Sequence, residues 1–167
     1  MTKVRIRPGH VRPLWAGHPW VYAQAVAGVE GAPLAGDLVD VHDPQGNWLG
    51  AGFFSPGSAI AVRIVSRTQG EAVDAGFFRE RLARAQRFRA SALALPDAET
   101  TGYRLVHSEG DGLSGLVVDR YADVAVVQFL SAGMKRREAD VLEALRAVTG
   151  VRSIVELPSA EHQEREG

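Results

Sequence analysis

A chain of 167 residues, of which 46% are hydrophobic and 23% charged, is long enough to bury a core and suits one domain or two small ones. It contains no cysteine, which excludes disulfides, thiolate metal sites and cysteine nucleophiles, and its five histidines lack a spacing that would bring two onto one metal ion. With no apolar run long enough to span a bilayer and no signal-peptide core, the sequence predicts a cytoplasmic protein without membrane contact or a structural metal.

The formal net charge of −1 conceals two basic stretches. The first stretch carries Lys3, Arg5, Arg7 and Arg12, and no acidic residue precedes Glu30. The second stretch contains Arg63, Arg67, Arg79, Arg81, Arg84, Arg87 and Arg89. Local positive fields of this kind suit a polyanion, although charge alone does not separate them from ordinary surface arginines.

The first 66 residues predict short strands separated by turns. Strands are expected near residues 4–7, 20–22, 38–42, 48–54 and 59–65. Such regular spacing favours a small, mostly β barrel. Gly50 and Gly52 interrupt one strand, which indicates either a bulge or tight bend of the sheet or close approach of an RNA backbone.

Residues 75–94 predict an amphipathic helix whose N-terminus is capped by Asp74. Its apolar positions recur at steps of three and four: Phe78, Leu82, Ala85, Phe88, Ala92 and Leu95. Arg81 and Arg89 fall within this apolar stripe, so each must extend to solvent or meet a partner. Pro96 ends the helix, and residues 96–99 form the expected hinge.

Residues 103–157 predict a β-β-β-α-β unit. Its strands are expected at residues 103–107, 116–121, 124–130 and 152–157. The helix opens at Gly133 and ends at Gly150, a natural C-cap, with Met134, Val141, Leu145 and Val148 on one face.

A glycine motif lies between the first two of these strands. Gly110, Gly112 and Gly115 spell G-x-G-x-x-G, the pattern of a dinucleotide or S-adenosylmethionine (SAM) loop. The β-branched run after Gly115 indicates a strand instead of the helix that such a loop requires, and Glu109 and Asp111 would repel a phosphate. We therefore predict that the glycines turn a β-hairpin and that no cofactor binds there.

Catalytic residues are weakly indicated. Glu109, Asp111 and Asp119 could supply a carboxylate pair for acid–base chemistry, yet acidic residues in a glycine-rich turn are usually solvated or bond the turn's own amides. Ser114 lies in G-L-S-G, which lacks the completion of a nucleophile elbow. We predict no catalytic residue in this chain.

A richer combination of aromatic and basic residues lies near the N-terminus. It comprises Trp15, His18, Trp20 and Tyr22 beside Arg5, Arg7, His10 and Arg12. Flat side chains can stack on unpaired bases while guanidinium groups hold phosphates. Because Trp20, Val21 and Tyr22 alternate along a strand, at least one must face the core, and we assign Trp20 to it.

Several segments, in order, resemble one enzyme family. Residues 17–22 (GHPWVY), 36–41 (GDLVDV), 50–56 (GAGFFSP) and 60–63 (IAVR) resemble the N-terminal PUA domain of the SAM-dependent large-subunit ribosomal RNA cytosine-5 methyltransferases. Residues 103–107 (YRLVH), 109–113 (EGDGL) and 115–121 (GLVVDRY) resemble that family's central domain. Ser114 stands where the family usually has proline.

The resemblance implies an α+β fold in four parts: a PUA-type β-barrel at residues 1–70, a linker helix and hinge at 71–100, a β-β-β-α-β central domain at 101–158, and a tail at 159–167. That tail would lead into the family's methyltransferase domain, which this chain, as an engineered fragment or a natural truncation, would lack. The family's reaction needs a cysteine nucleophile, and the chain has none.

The resemblance also implies a role in recognising RNA. The expected contacts are Arg5, Arg7, His10, Arg12, Gly17, His18, Arg63, Arg79, Arg84 and Arg87. The implied partner is structured RNA, in particular large-subunit ribosomal RNA, and the family's habit suggests a homodimer. SAM is expected only for a longer parent protein. The alternatives are a free-standing RNA-binding or ribosome-associated module, or a small enzyme that uses Glu109 and Asp111.

Overall fold

The computed structural model describes residues 2–158, which form two compact units of mixed α and β structure. Unit 1 comprises residues 2–71 together with residues 131–135. Unit 2 comprises residues 72–130 and 136–158. The predicted tail at residues 159–167 lies outside the described residues.

Unit 1 is built on a six-stranded sheet that curls into a half-barrel. Its strands are β1 (Lys3–Ile6), β2 (Trp20–Tyr22), β3 (Val26–Glu30), β4 (Leu38–His42), β5 (Trp48–Phe54) and β6 (Ile60–Ser66). Their order across the sheet is β2-β6-β5-β4-β1-β3, with β1 parallel to β4 and the other neighbours antiparallel. Strands β2 and β3 are its edges, so the predicted barrel is open in the part of the chain that the structure describes.

The core of unit 1 follows the two-residue period of its strands. Val4 and Ile6 of β1, Val39 and Val41 of β4, and Val62 of β6 are all fully buried. Alternate residues of a strand point to opposite faces of the sheet, so one face carries the apolar side chains. Burial of these side chains is the main favourable contribution to the stability of the unit.

Two elements of unit 1 are absent from the sequence-based prediction. Strand β3 reads V-A-G-V-E and is exposed at every position after Val26, so it lacks the alternation that marks a half-buried strand. Helix α1 (Arg12–Trp15) is one turn long and buries only Leu14. Neither element carries the periodic apolar pattern from which the sequence predicts strands and helices.

The two glycines of β5 are explained by the sheet itself. The pairing of β5 with β4 and with β6 contains register shifts, as a bulged strand does. A Cβ atom on Gly52 would lie 2.3 Å from the carbonyl oxygen of Arg63 in β6. The prediction of a bulge is therefore confirmed, and the backbone that approaches Gly52 belongs to the neighbouring strand.

Unit 2 combines helices with a four-stranded sheet of order β10-β9-β8-β7. Its elements are α2 (Ala75–Ala92), β7 (Gly102–His107), β8 (Leu116–Tyr121), β9 (Val124–Phe129), α4 (Glu138–Thr149) and β10 (Ser153–Glu156). Strand β10 is parallel to β9, and the other pairs are antiparallel. A short helix, α3 (Ala132–Arg136), precedes α4, and most of it belongs to unit 1.

The helix predicted to open at Gly133 is divided in two. The backbone leaves helical geometry at Arg137, which separates α3 from α4. Within unit 1, Gly133 packs so closely on Phe53 that a Cβ atom would lie 2.1 Å from the ring. Gly150 adopts a left-handed conformation (φ 62°) and donates its amide to the carbonyl of Arg146, so the predicted C-cap is confirmed.

Helix α2 begins as predicted but buries a different face near its end. The Asp74 carboxylate accepts the amide of Phe77 at 3.1 Å, which confirms the N-cap. Phe77, which lies off the predicted stripe, is buried, whereas Phe88 is 53% exposed. The predicted stripe is therefore wrong at Phe88, whereas the prediction that Arg89 lies within it and meets a partner is confirmed by the buried ion pair with Asp111.

The glycine motif forms the connection of a β-hairpin. Strands β7 and β8 pair antiparallel, and a 3₁₀ turn (Ser108–Asp111) joins them through Gly112, which is left-handed with φ 70°. The chain after Gly115 enters β8 directly. The predicted hairpin is confirmed.

Candidate functional site

The segment from α1 to β2 gathers three rings of unit 1. The His18 and Trp20 centroids are 5.7 Å apart, those of Trp20 and Tyr22 6.2 Å, and those of His18 and Tyr22 6.1 Å. Val21, between the two aromatic residues of β2, is 1% exposed. The assignment of Trp20 to the core is therefore wrong: Val21 takes that place, and the strand alternation turns Trp20 and Tyr22 to the opposite face.

These rings line a cavity of about 250 Å³, which we call the aromatic cavity. Its other lining residues are His10, Pro13, Leu14, Val21, Gln24 and Ala25. The cavity is smaller than the roughly 300 Å³ at which small-molecule pockets commonly begin. It could receive one flat group, such as a nucleobase, more readily than a whole cofactor.

Gly17 and Arg67 hold the segment that carries these rings. Gly17 has φ 92°, a conformation that side chains rarely adopt. The Arg67 guanidinium donates to the carbonyl oxygens of Leu14 (3.0 Å), Leu49 (2.9 Å) and His18 (2.9 Å), which fastens the segment to β5. Partial burial lowers the pKa of Arg67 from its ordinary value. Sequence reasoning placed Arg67 only in a basic stretch, because nothing in its local pattern indicates partners this distant along the chain.

His18 lies in the loop before β2 and is oriented by the backbone of Trp20. Its Nδ1 lies 3.2 Å from the amide nitrogen of Trp20, which can only donate. The same Nδ1 also lies 3.4 Å from the carbonyl oxygen of Trp20, so these two contacts are compatible with a proton on either ring nitrogen. When Nε2 carries the proton, it can donate to a ligand.

The other predicted RNA contacts of unit 1 differ in exposure and in whether they have an internal partner. His10 lines the aromatic cavity, and Arg12 is exposed at the first position of α1. Arg7 and Arg5 are also exposed, but each has an internal partner: Arg7 Nε donates to Val26 O at 2.8 Å, and Arg5 pairs with Glu30 at 2.7 Å. Arg63 is only 9% exposed, so it is not among the arginines that we propose to contact phosphates.

The predicted contacts of unit 2 lie on exposed positions of α2. Arg79 faces Glu143 at 3.4 Å, a long and solvent-exposed ion pair. Arg84 donates to the carbonyl oxygen of Asp111 at 3.2 Å, and Arg87 is exposed. Arg84 also borders a groove of about 410 Å³ between α2 and the 107–111 segment, which we call the α2 groove.

The three carboxylates considered for catalysis have internal donors. Asp111 forms a two-pronged ion pair with the buried Arg89, and Glu109 accepts the Ser114 hydroxyl at 2.7 Å. Asp119 accepts from Arg104 at 2.8 and 2.9 Å, and these bonds raise the pKa of the Arg104 guanidinium. The geometry gives an acid–base pair no support, because each carboxylate acts within the fold.

The described residues were searched for a metal site, a membrane-spanning helix and a SAM-binding loop. Across residues 2–158, no three histidine or acidic side chains are grouped as a metal site, and no helix is long and apolar enough to cross a membrane. The residues of the glycine motif do not fit SAM, since the motif runs into β8 instead of opening a helix.

Comparison with known proteins identifies the fold of unit 1. Residues 4–67 match the family of PUA-like domains. The chain contains a PUA-like domain. Curated relatives extend the similarity further: the ribosomal RNA large subunit methyltransferase I of Pseudoalteromonas atlantica is 40% identical over 166 residues, and that of Escherichia coli O9:H4 is 37% identical over 166 residues.

These relatives are longer than this chain. The alignments cover 99% of the chain but 42% and 41% of the two relatives, so the chain spans about two fifths of their length. Among solved structures, a Streptococcus mutans protein assigned to the SAM-dependent methyltransferases matches with a TM-score of 0.78 at 18% identity, covering 90% of this chain and 39% of that one. The similarity to that structure concerns the fold alone.

Proposed function

We propose that this chain is the RNA-binding, substrate-recognising part of a SAM-dependent ribosomal RNA large subunit methyltransferase that modifies cytosine at carbon 5. Two features support the proposal: the similarity of 99% of the chain to part of a protein named ribosomal RNA large subunit methyltransferase I, and the PUA-like domain at residues 4–67. The observation that carries it is the aromatic cavity, where His18, Trp20 and Tyr22 form a set of rings inside that domain. An rRNA enzyme of this kind would act in the cytoplasm.

The aromatic cavity provides the two kinds of contact that single-stranded RNA needs. The Tyr22 ring is 39% exposed and can stack on an unpaired base, whose faces are apolar whatever its identity. His18 can donate to a base edge or a ribose hydroxyl. Arg7 and Arg12 are exposed close to the cavity along the chain and can neutralise phosphates.

Methyl transfer in this proposal belongs to the rest of the parent enzyme. Attack on a cytosine ring calls for a thiolate, and this chain contains no cysteine. SAM, when bound by the parent, supplies the methyl group. The part proposed here binds and orients RNA, and we expect no SAM binding to it in calorimetry.

An RNA titration tests this proposal. Fluorescence anisotropy with a fragment of large-subunit ribosomal RNA should show saturable binding that weakens steeply with salt. Tyr22→Leu should lower the affinity about tenfold, because stacking contributes about 1–3 kcal/mol per base. Arg152→Ala is the control, since Arg152 is a strongly exposed arginine of unit 2 whose ion pair is with Asp123. Absence of saturable binding at low salt, or equal affinity of Tyr22→Leu and the unmodified chain, would overturn the proposal.

A further inference from the structure

The α2 groove in unit 2 has an exposed rim and a buried interior. On its rim, Arg84, Phe88 and His107 are exposed. In its interior, Arg89 and Asp111 pair with each other, and their side chains are 8% and 10% exposed. At about 410 Å³, the groove falls within the range of roughly 300–1,000 Å³ that is usual for ligand pockets.

Phe88 is an apolar ring that folding leaves uncovered. It is 53% exposed, although it lies at the helical spacing of the buried residues Phe78, Leu82 and Ala85. The Arg89 guanidinium lies 5.5 Å from its centroid, within the distance of a cation–π contact. The ring therefore has a buried charged neighbour and an accessible surface that a base could stack on.

The charge of the groove is positive because its acidic residue is already neutralised. Both oxygens of Asp111 accept from Arg89, and Asp111 Oδ2 also accepts the amide of His107. Arg84 donates to the backbone oxygen of Asp111, and this contact does not cancel the charge of its guanidinium. Arg87 lies three residues further along α2 and is exposed.

Gly112 leaves room for the arginines beside the groove. A Cβ atom at this position would lie 3.0 Å from Arg84 Nη2 and 3.2 Å from Arg81 Nη1. Its φ of 70° also disfavours any side chain. Gly112 of the G-x-G-x-x-G motif thus turns the hairpin and leaves room for these two guanidinium groups.

We propose that the α2 groove is a second RNA site that holds one unpaired nucleotide, with its base stacked on Phe88 and its phosphate held by Arg84 and Arg87. The inference rests on the proposed function, because RNA is taken as the partner. A flat ring beside exposed guanidinium groups matches the two parts of a nucleotide. The neutralised Asp111 removes the charge that would otherwise repel the phosphate.

Binding of a short single-stranded oligoribonucleotide to the whole chain tests this site. Phe88→Leu should lower the affinity about tenfold, whereas Phe88→Trp should retain it, because a leucine is apolar but cannot stack. Arg84→Ala should reduce the magnitude of the slope of log affinity against log salt by about 0.7. Leu93→Ala is the matched control, since Leu93 follows the last turn of α2 and is also 53% exposed.

Photo-crosslinking locates the contact independently of affinity. An oligoribonucleotide that contains 4-thiouridine should form an adduct on residues 84–88, identified by mass spectrometry. Equal affinity of Phe88→Leu and the unmodified chain, with adducts confined to unit 1, would overturn this inference. If Tyr22→Leu nevertheless loses affinity for RNA, RNA binding at the aromatic cavity is supported although the α2 groove is not an RNA site. If the unmodified chain binds no RNA, both proposals fail.

Discussion

The aromatic cavity of unit 1 is lined by three rings that lie close to one another, and exposed arginines are near them along the chain. In the α2 groove, by contrast, one exposed ring lies beside a buried arginine. Two of the three rings, Trp20 and Tyr22, lie on β2, whose alternate residues share a face, and His18 lies just before that strand. Phe88 and Arg89 sit side by side on a helix, so their side chains point about 100° apart. One face of the helix can therefore bury charge while the next exposes an aromatic ring.

The difference teaches that a basic stretch in a sequence mixes two kinds of arginine. Arg67 and Arg89 satisfy carbonyls and a carboxylate inside the fold, and Arg12 and Arg87 lie on the surface. Only surface arginines can neutralise phosphates, and arginines with internal partners position the elements that carry them. The predictions for Arg89 and Arg67 separate these two classes, each by comparison with a surface arginine.

The largest effect is expected from the buried ion pair of the α2 groove. Arg89→Ala leaves the Asp111 carboxylate buried without its partner and should lower the free energy of unfolding by about 3–5 kcal/mol. Arg152→Ala removes the exposed pair with Asp123 and should cost no more than about 1 kcal/mol. Urea unfolding of the three proteins measures both values, and similar losses in the two variants would show that Arg89 is not buried as described.

A second effect tests the packing of the sheet in unit 1. Gly52→Ala forces a methyl group against the backbone of β6 and should lower the free energy of unfolding by about 1–3 kcal/mol. Gly28→Ala is the control, because a Cβ atom there has no neighbour within 4 Å. The same urea experiment applies. A Gly52→Ala protein as stable as Gly28→Ala would contradict the close approach of β5 and β6.

Arg67 should affect stability and RNA binding together. Arg67→Met removes donors to three backbone carbonyls and should cost about 1–3 kcal/mol of stability. Because the segment carrying His18 and Trp20 is then loosened, affinity for an rRNA fragment should also fall. Arg12→Met removes a surface charge and should weaken RNA binding with little change in stability. Anisotropy and urea unfolding give the two readouts, and unchanged RNA affinity in Arg67→Met would separate this arginine from the cavity.

The smallest effect concerns acid stability of the turn between β4 and β5. Hydrogen bonds to Asp43, chiefly from the Asn47 side chain, lower its pKa from the ordinary value. A lowered pKa in the folded state stabilises the protein above the unfolded-state pKa of about 3.9, and this contribution is lost as the pH falls through the folded-state value. Asp43→Asn should therefore flatten the acid side of the stability profile. Parallel profiles of the variant and the unmodified chain between about pH 2 and 6 would count against this assignment.

Sequence patterns located most elements because apolar periodicity is a local signal. The strand at Trp20–Tyr22 follows from its turn signals, and the Asp74 cap follows from the position of an acidic residue before an apolar period. Strand β3 was not predicted, because it buries almost no side chain and is held by its pairing with β1. Edge strands of this kind depend on a distant partner that no local window contains.

The facing of side chains was harder to predict than their secondary structure. Alternation placed Trp20 and Tyr22 on one face, but only the assembled sheet decided that the smaller Val21 faces the core. Likewise, Phe88 fits the helical stripe, yet the ion pair of Arg89 with Asp111 determines which residue is buried. Both outcomes depend on contacts between residues that are distant in the sequence, which no local pattern contains.

The most direct test of RNA binding at the aromatic cavity uses the three tryptophan indoles of the chain. In a ¹⁵N-labelled sample, the Trp20 indole resonance should shift saturably as an rRNA fragment is added. The resonance of the Trp48 indole should not shift. Its Nε1 donates to the Asp40 carboxylate at 2.8 Å, and Trp48 does not line the cavity. A Trp20 resonance that remains unchanged while the RNA binds would contradict the assignment of the cavity as the RNA site.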